Sequence, residues 1–133
     1  MSQDPEKLLA QICFDAAGLV PAIAQDHATG QVLMLAWMTR ESLAETLRSG
    51  AVAYWSRSRN QIWRKGETSG QVQRLVDLRI DCDGDTVLLL VEQTGVACHT
   101  GRRSCFFRAA RDGEIVELAM ERVDPGLLYP RSL

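Results

Sequence analysis

Two Asp-Gly pairs limit what this chain can fold into more than any other feature. Asp83-Gly84 lies between runs at 72–80 and 86–91, and Asp112-Gly113 lies between runs at 105–109 and 114–119. Asp-Gly readily adopts the left-handed turn conformations that join antiparallel strands by a short path, so each pair predicts a hairpin. The run at 86–91 is short and dominated by aliphatics, as a buried strand requires. Two more strands are read at 19–24 and 32–37, separated by a turn around His27 and Gly30, and a short one at 51–55.

Helical signals interrupt this pattern twice. Asp4-Pro5-Glu6 precedes Leu8, Leu9 and Ile12, which predicts a capped short helix with proline in its first turn. Thr39 caps a second, amphipathic helix that carries Leu43, Ala44 and Leu47 on one face and ends at Gly50. The expected fold is therefore α+β, mainly β: a hairpin-rich antiparallel or mixed sheet with two short helices. No repeat, linker or low-complexity segment divides the 133 residues, and residues 1–133 are read as one domain whose 46% hydrophobic content can fill a single core. The segment 124–133, with two prolines, is expected to lie along the surface or against a partner.

The net charge of -2 argues against a general affinity for nucleic acid or an anionic membrane. No apolar run approaches the roughly 18 residues of a membrane span. The opening MSQDPEKLLAQICFD has neither a basic n-region nor a long apolar stretch, so no secretory signal is read and a cytoplasmic protein is expected.

Residues 56–70 (SRSRNQIWRKGETSG) are polar and basic without a helical or strand period, and are read as a long loop. Arg57, Arg59, Arg64, Lys65 and Arg74 crowd this region against a single acid, Glu67, while Trp55 and Trp63 flank it. Guanidinium groups, the hydroxyls of Thr68 and Ser69 and free amides are good phosphate ligands, and an indole can stack on a base. A small phosphorylated nucleotide and a single nucleic-acid strand both fit this loop. So does a merely solvated charge run.

Four cysteines occur, at 13, 82, 98 and 105. Disulfides are a poor explanation in a reducing compartment. Six residues separate Cys98 from Cys105, and no close C-x2-4-C knuckle is present, which speaks against a closed structural zinc module. Three thiolates gathered from separate elements would instead leave a fourth position open, as a catalytic zinc needs. Such a zinc lowers the pKa of bound water to about 7. His99, beside Cys98, would then suit a base or proton shuttle. Spacing alone leaves inert buried thiols and a zinc site both open.

Asp81, Asp83 and Asp85 alternate, and on an extended chain alternate residues share a face. Three carboxylates meeting there would suit a hard divalent cation, although Asp and Gly also simply make polar turns. An EF-hand is excluded, because the sixth position from Asp81 is Thr86 where the loop requires glycine.

Several stretches together resemble the phosphoribosyl-AMP cyclohydrolase family: VPAIAQD at 20–26, QVLMLAWMTRESL at 31–43, YWSRSRNQIWRKGETSGQ at 54–71, DCDGD at 81–85 and ACHTGRRSCFFR at 97–108. The likeness runs over roughly residues 14–117. It implies zinc bound by Cys82, Cys98 and Cys105, with ligands from two chains of an interlaced homodimer, and magnesium at Asp81, Asp83 and Asp85. Cys13 falls outside that set and is read as a packing residue. The resemblance also implies a monofunctional enzyme of histidine biosynthesis that opens the adenine ring of phosphoribosyl-AMP at N1–C6, with His99 assisting proton transfer. Substrate contacts are expected from Trp55, Arg57, Arg59, Lys65, Thr68 and Ser69. The chemistry is close to that of purine deaminases, but their H-x-E and P-C-x-x-C signature is missing.

Overall fold

In the computed structural model, which describes residues 5–128, the elements run α1 (Pro5–Leu9), β1 (Val20–Asp26), β2 (Val32–Met38), α2 (Arg40–Ser49), β3 (Ala53–Ser56), β4 (Gln61–Arg64), β5 (Gln73–Ile80), β6 (Val87–Gln93), β7 (Arg108–Arg111), β8 (Glu114–Glu117) and α3 (Pro125–Leu128). Strands β4-β3-β2-β1-β6-β5 form one sheet and β7-β8 a separate ribbon. Every pairing is antiparallel except β1 with β6, so the large sheet is mixed. The expected α+β, mainly β class is observed, with a one-turn third helix, α3, added to the two expected.

Burial follows the strand period of two. Val20, Ala22 and Ala24 on β1 and Val87, Leu89 and Val91 on β6 are buried and meet Leu33, Met38, Tyr54 and the α2 residues Leu43 and Leu47 in one core. Helix α2 ends as its sequence dictates. The Thr39 hydroxyl accepts from the Ser42 amide at 3.1 Å, Ser42 reciprocates at 3.0 Å, and Gly50 closes the helix in the left-handed region at φ 76°. Leu9 and Ile12 join the core as their helical spacing implied, while the expected cap Asp4 lies outside the described residues.

The opposite face of the sheet is less covered. Pro21 and Ile23 on β1 and Leu88 and Leu90 on β6 are half-buried, and Leu35 on β2 is 47% exposed. Among the described residues no helix is long and apolar enough to cross a membrane.

Three expectations need correction. Residues 56–70 are not one loop: β4 folds back on β3 with Tyr54 opposite Trp63 and Ser56 opposite Gln61. The reversal closes where the Asn60 amide donates to the Ser56 carbonyl at 2.8 Å, with Asn60 itself left-handed at φ 55°. Asparagine tolerates that conformation better than most residues. The last hairpin is shorter than expected, since 105–107 stay outside β7. Cys13, expected to pack, is exposed, and only its backbone is engaged, donating to the Gly84 carbonyl at 2.8 Å.

Candidate active site

The β3–β4 hairpin and the loop after it form one wall of a cleft of about 840 Å³, lined among others by Arg59, Ile62, Trp63, Lys65, Thr68, Ser69 and His99. Of the expected substrate contacts, Arg59, Lys65, Thr68 and Ser69 therefore converge. Trp55 and Arg57 do not line this cleft. Trp55 pairs with Ile62 across the hairpin and with Trp37 on β2, and the Arg57 guanidinium stacks 4.7 Å from the Trp37 ring centre. Trp63, one of the two indoles expected to be available for stacking on a base but not named among the substrate contacts, does line the cleft. Its ring, packed 5.4 Å from that of Tyr54, fixes the floor of the wall. Strand alternation would have found it, had β4 been read as a strand.

The segment from Ala97 to Cys105 explains how two distant thiols meet. Ala97 donates to the Arg103 carbonyl at 3.0 Å, Cys98 to that of Arg102 at 3.1 Å, and Gly101 back to Cys98 at 2.9 Å, so the chain doubles on itself. Gly101 is left-handed at φ 88°, and a Cβ there would collide with the Val123 carbonyl. The returning end is pinned to β2, where Cys105 donates to the Leu33 carbonyl at 2.7 Å and Ser104 Oγ to that of Val32 at 2.7 Å. Arg103, ion-paired with buried Asp26 at 3.4 Å, ties the same loop to the end of β1. His99 is exposed at the cleft, while Cys98 beside it is buried.

The thiols of Cys98 and Cys105 are neighbours. Residue 105 is exposed overall, yet burial of its thiol, then the Cys98 thiol beside it, push its pKa up to about 12, against a pull in the opposite direction from Lys65. Thr100 Oγ1 donates to Cys98 Sγ at 3.0 Å. The Lys65 ammonium donates to the Ala97 carbonyl at 2.7 Å, and burial holds its pKa below the ordinary lysine value while both thiols oppose that shift. A pair of thiols with a hydroxyl donor and a cation beside it is a donor set that suits a thiophilic metal.

Cys82 is not with them. It is exposed on the β5–β6 turn, and among the described residues the only three metal-capable side chains gathered within 4.8 Å are Asp81, Asp83 and Asp85. Those three carboxylates do meet, but around a turn rather than along an extended face. The Asp81 carboxylate accepts from the Asp85 amide at 3.0 Å and the Thr86 amide at 3.3 Å, and Gly84 turns the chain at φ 78°. A Cβ on Gly84 would lie 2.5 Å from the Gln11 carbonyl, so the residues after α1 press directly on this turn. Hydrogen bonding with Asp83 and Asp81, then burial and their charge, push Asp85 up to about 6.

A family profile described as phosphoribosyl-AMP cyclohydrolase matches residues 34–107. A protein of that name from Rhodospirillum centenum is 64% identical over 127 residues, covering 96% of this chain and 96% of its own. Its namesake from Paramagnetospirillum magneticum is 62% identical over 128 residues, covering 96% of this chain and 97% of its own. A third, from Alkalilimnicola ehrlichii, is 61% identical over 130 residues.

Proposed function

The chain belongs to the phosphoribosyl-AMP cyclohydrolase family, and from that premise we propose that the cleft, His99 and three cysteines from two chains form its active site. The activity is hydrolysis of the N1–C6 bond of the adenine ring of phosphoribosyl-AMP, in histidine biosynthesis. Likeness along nearly the whole chain carries this conclusion. The site reading is supported by His99 lining the cleft directly after Cys98 in the chain, whose thiol neighbours that of Cys105.

Cys98 and Cys105 of one chain would hold zinc together with Cys82 of a partner, because within one chain Cys82 does not join the other two. A homodimer also gives the half-covered sheet face around Ile23, Leu35, Leu88 and Leu90 something to bury against. Zinc there would supply Lewis acidity, lowering the pKa of a water molecule to about 7. The Asp81, Asp83 and Asp85 cluster has the hard oxygen donors that suit magnesium.

N1-alkylated adenine is electron-poor at C6, so water adds there and C6 becomes tetrahedral. Collapse breaks N1–C6, leaves C6 with its exocyclic nitrogen as a carboxamide, and requires a proton at N1. His99, exposed on the cleft wall, takes the proton from the water and delivers it to N1. Arg59, Thr68 and Ser69 hold phosphate oxygens from the cleft side, as expected of them. Arg57 and Trp55, on the hairpin but outside the cleft, reach substrate only where a partner chain builds a wall against them. Lys65, expected among the phosphate ligands, has its ammonium committed to the Ala97 carbonyl. The chain works as one cytoplasmic domain, residues 1–133, on a small phosphorylated nucleotide, with no role for nucleic acid or a membrane.

Absorbance-monitored turnover of phosphoribosyl-AMP by the purified protein, supplied with zinc and magnesium, tests this reading. Turnover lost to a zinc chelator and restored by zinc is expected. A folded, zinc-loaded dimer that leaves the substrate intact would overturn the assignment.

A further inference from the structure

Lys65 is the one basic residue among the described residues that is buried, with 7% of its surface exposed. Its ammonium donates to the Ala97 carbonyl at 2.7 Å, and the centre of the Trp63 ring lies 5.6 Å away. No carboxylate among the described residues forms an ion pair with it. Arg102 and Arg103, the ion-paired basic side chains nearest to it in depth, reach Glu117 and Asp26 respectively, each at 3.4 Å. A buried charge without a counter-ion is costly, and cation–π attraction recovers only a small part of that cost. The groups beside Lys65 that could carry negative charge on binding a metal are sulfurs, those of Cys98, next in the chain to its Ala97 partner, and of Cys105.

Zinc chemistry supplies the missing balance. Three thiolates around a dication sum to a single negative charge, and one ammonium makes the dry assembly neutral. We propose that Lys65 is the fixed countercharge of the thiolate metal site, a positioning residue that stabilises Cys98 and Cys105 as metal ligands and anchors the Ala97 backbone that precedes them, and not a phosphate ligand. This inference rests on the zinc reading above. The lysine sits at the junction of cleft and thiols, so its charge also withdraws electron density from the sulfurs on the side that faces substrate.

The test compares zinc affinity, by competition with a chromogenic chelator, in wild type, Lys65→Met, Lys65→Gln and Lys65→Arg, with folding followed by circular dichroism. Lys65→Met is expected to weaken zinc binding by about 10–100-fold, the usual effect of removing a group that supports metal ligands, while Lys65→Arg stays within about threefold. In the cobalt-substituted proteins the thiolate-to-metal charge-transfer band should move in Lys65→Met and return in Lys65→Arg, which a purely space-filling role would not produce. If Lys65→Met does not fold, Lys65→Gln keeps a donor for the Ala97 carbonyl without the charge and carries the same comparison. Uncharged variants that bind zinc like wild type but lose affinity for inorganic phosphate would overturn the proposal, as would a folded Lys65→Arg that has lost zinc as fully as the uncharged chains. Wild-type protein that retains no zinc after reconstitution would sink the zinc reading itself, a result distinct from either.

Discussion

Cys98 and His99 are adjacent in the chain, yet one is buried and the other exposed at the cleft. The tight return from Ala97 to Arg103 produces this division, with the sulfur kept away from water and the imidazole free to meet a ligand. A proton carrier placed this way contributes to the rate without holding the metal, so the two functions should separate on mutation. His99→Ala is expected to lower kcat by about 10²–10⁴-fold, with zinc content by atomic absorption unchanged. A loss below about tenfold would remove His99 from acid–base work. Cys98→Ser should behave oppositely, losing zinc and turnover together, and zinc retained at the wild-type level would exclude Cys98 as a ligand.

The β5–β6 turn gathers three carboxylates so closely that Asp85 rises from the ordinary 3.8 to about 6. A raised folded-state value means that Asp85 favours the fold below pH 3.8 and that this contribution is lost as pH rises through about 6. Above that point the turn carries unrelieved repulsion, which a divalent cation would offset. Magnesium should therefore raise the melting temperature near pH 7.5 and have no such effect at about pH 5, where protonated Asp85 competes with the cation. An equal rise at both values would show that the carboxylates are not where magnesium acts. How much of this was legible beforehand differs from element to element. Thr39, Gly50 and the apolar stripe of α2 announced that helix in full, and the Asp-Gly pairs announced both later hairpins. Strand β4 was hidden because four residues with Gln and Arg at their ends give no visible alternation, and its turn closes on a left-handed asparagine without a following glycine. The acidic residues were rightly grouped, but for the wrong geometric reason, since Gly84 folds them around a turn. Lys65 is expected to hold phosphate and does line the cleft, but its place in a charge run gives no sign of the burial that comes with the hydrogen bond to the Ala97 carbonyl.

At the scale of the molecule, one chain holds the three cysteines of the proposed zinc site in two separate places: Cys98 with Cys105, and Cys82 on the acidic turn. It also presents a sheet face with Leu35 47% exposed beside Ile23, Leu88 and Leu90. Both observations are resolved if a second copy covers that face and lends its turn. This makes a prediction that a site within one chain cannot share. Cys82→Ser and Cys105→Ser chains are each expected to be inactive alone, since every site in either homodimer lacks a thiolate. When the two are unfolded together and refolded as a mixture, half of the dimers are heterodimers. In each heterodimer, Cys98 and Cys105 of the Cys82→Ser chain face the intact Cys82 of its partner, while the second site lacks both thiolates. Turnover should therefore return to roughly a quarter of the wild-type value, and zinc content to the same fraction. A site built within one chain leaves every dimer broken twice, so a mixture as inactive as its components would place all three cysteines on one chain and would require the β5–β6 turn to move onto its own Cys98 loop.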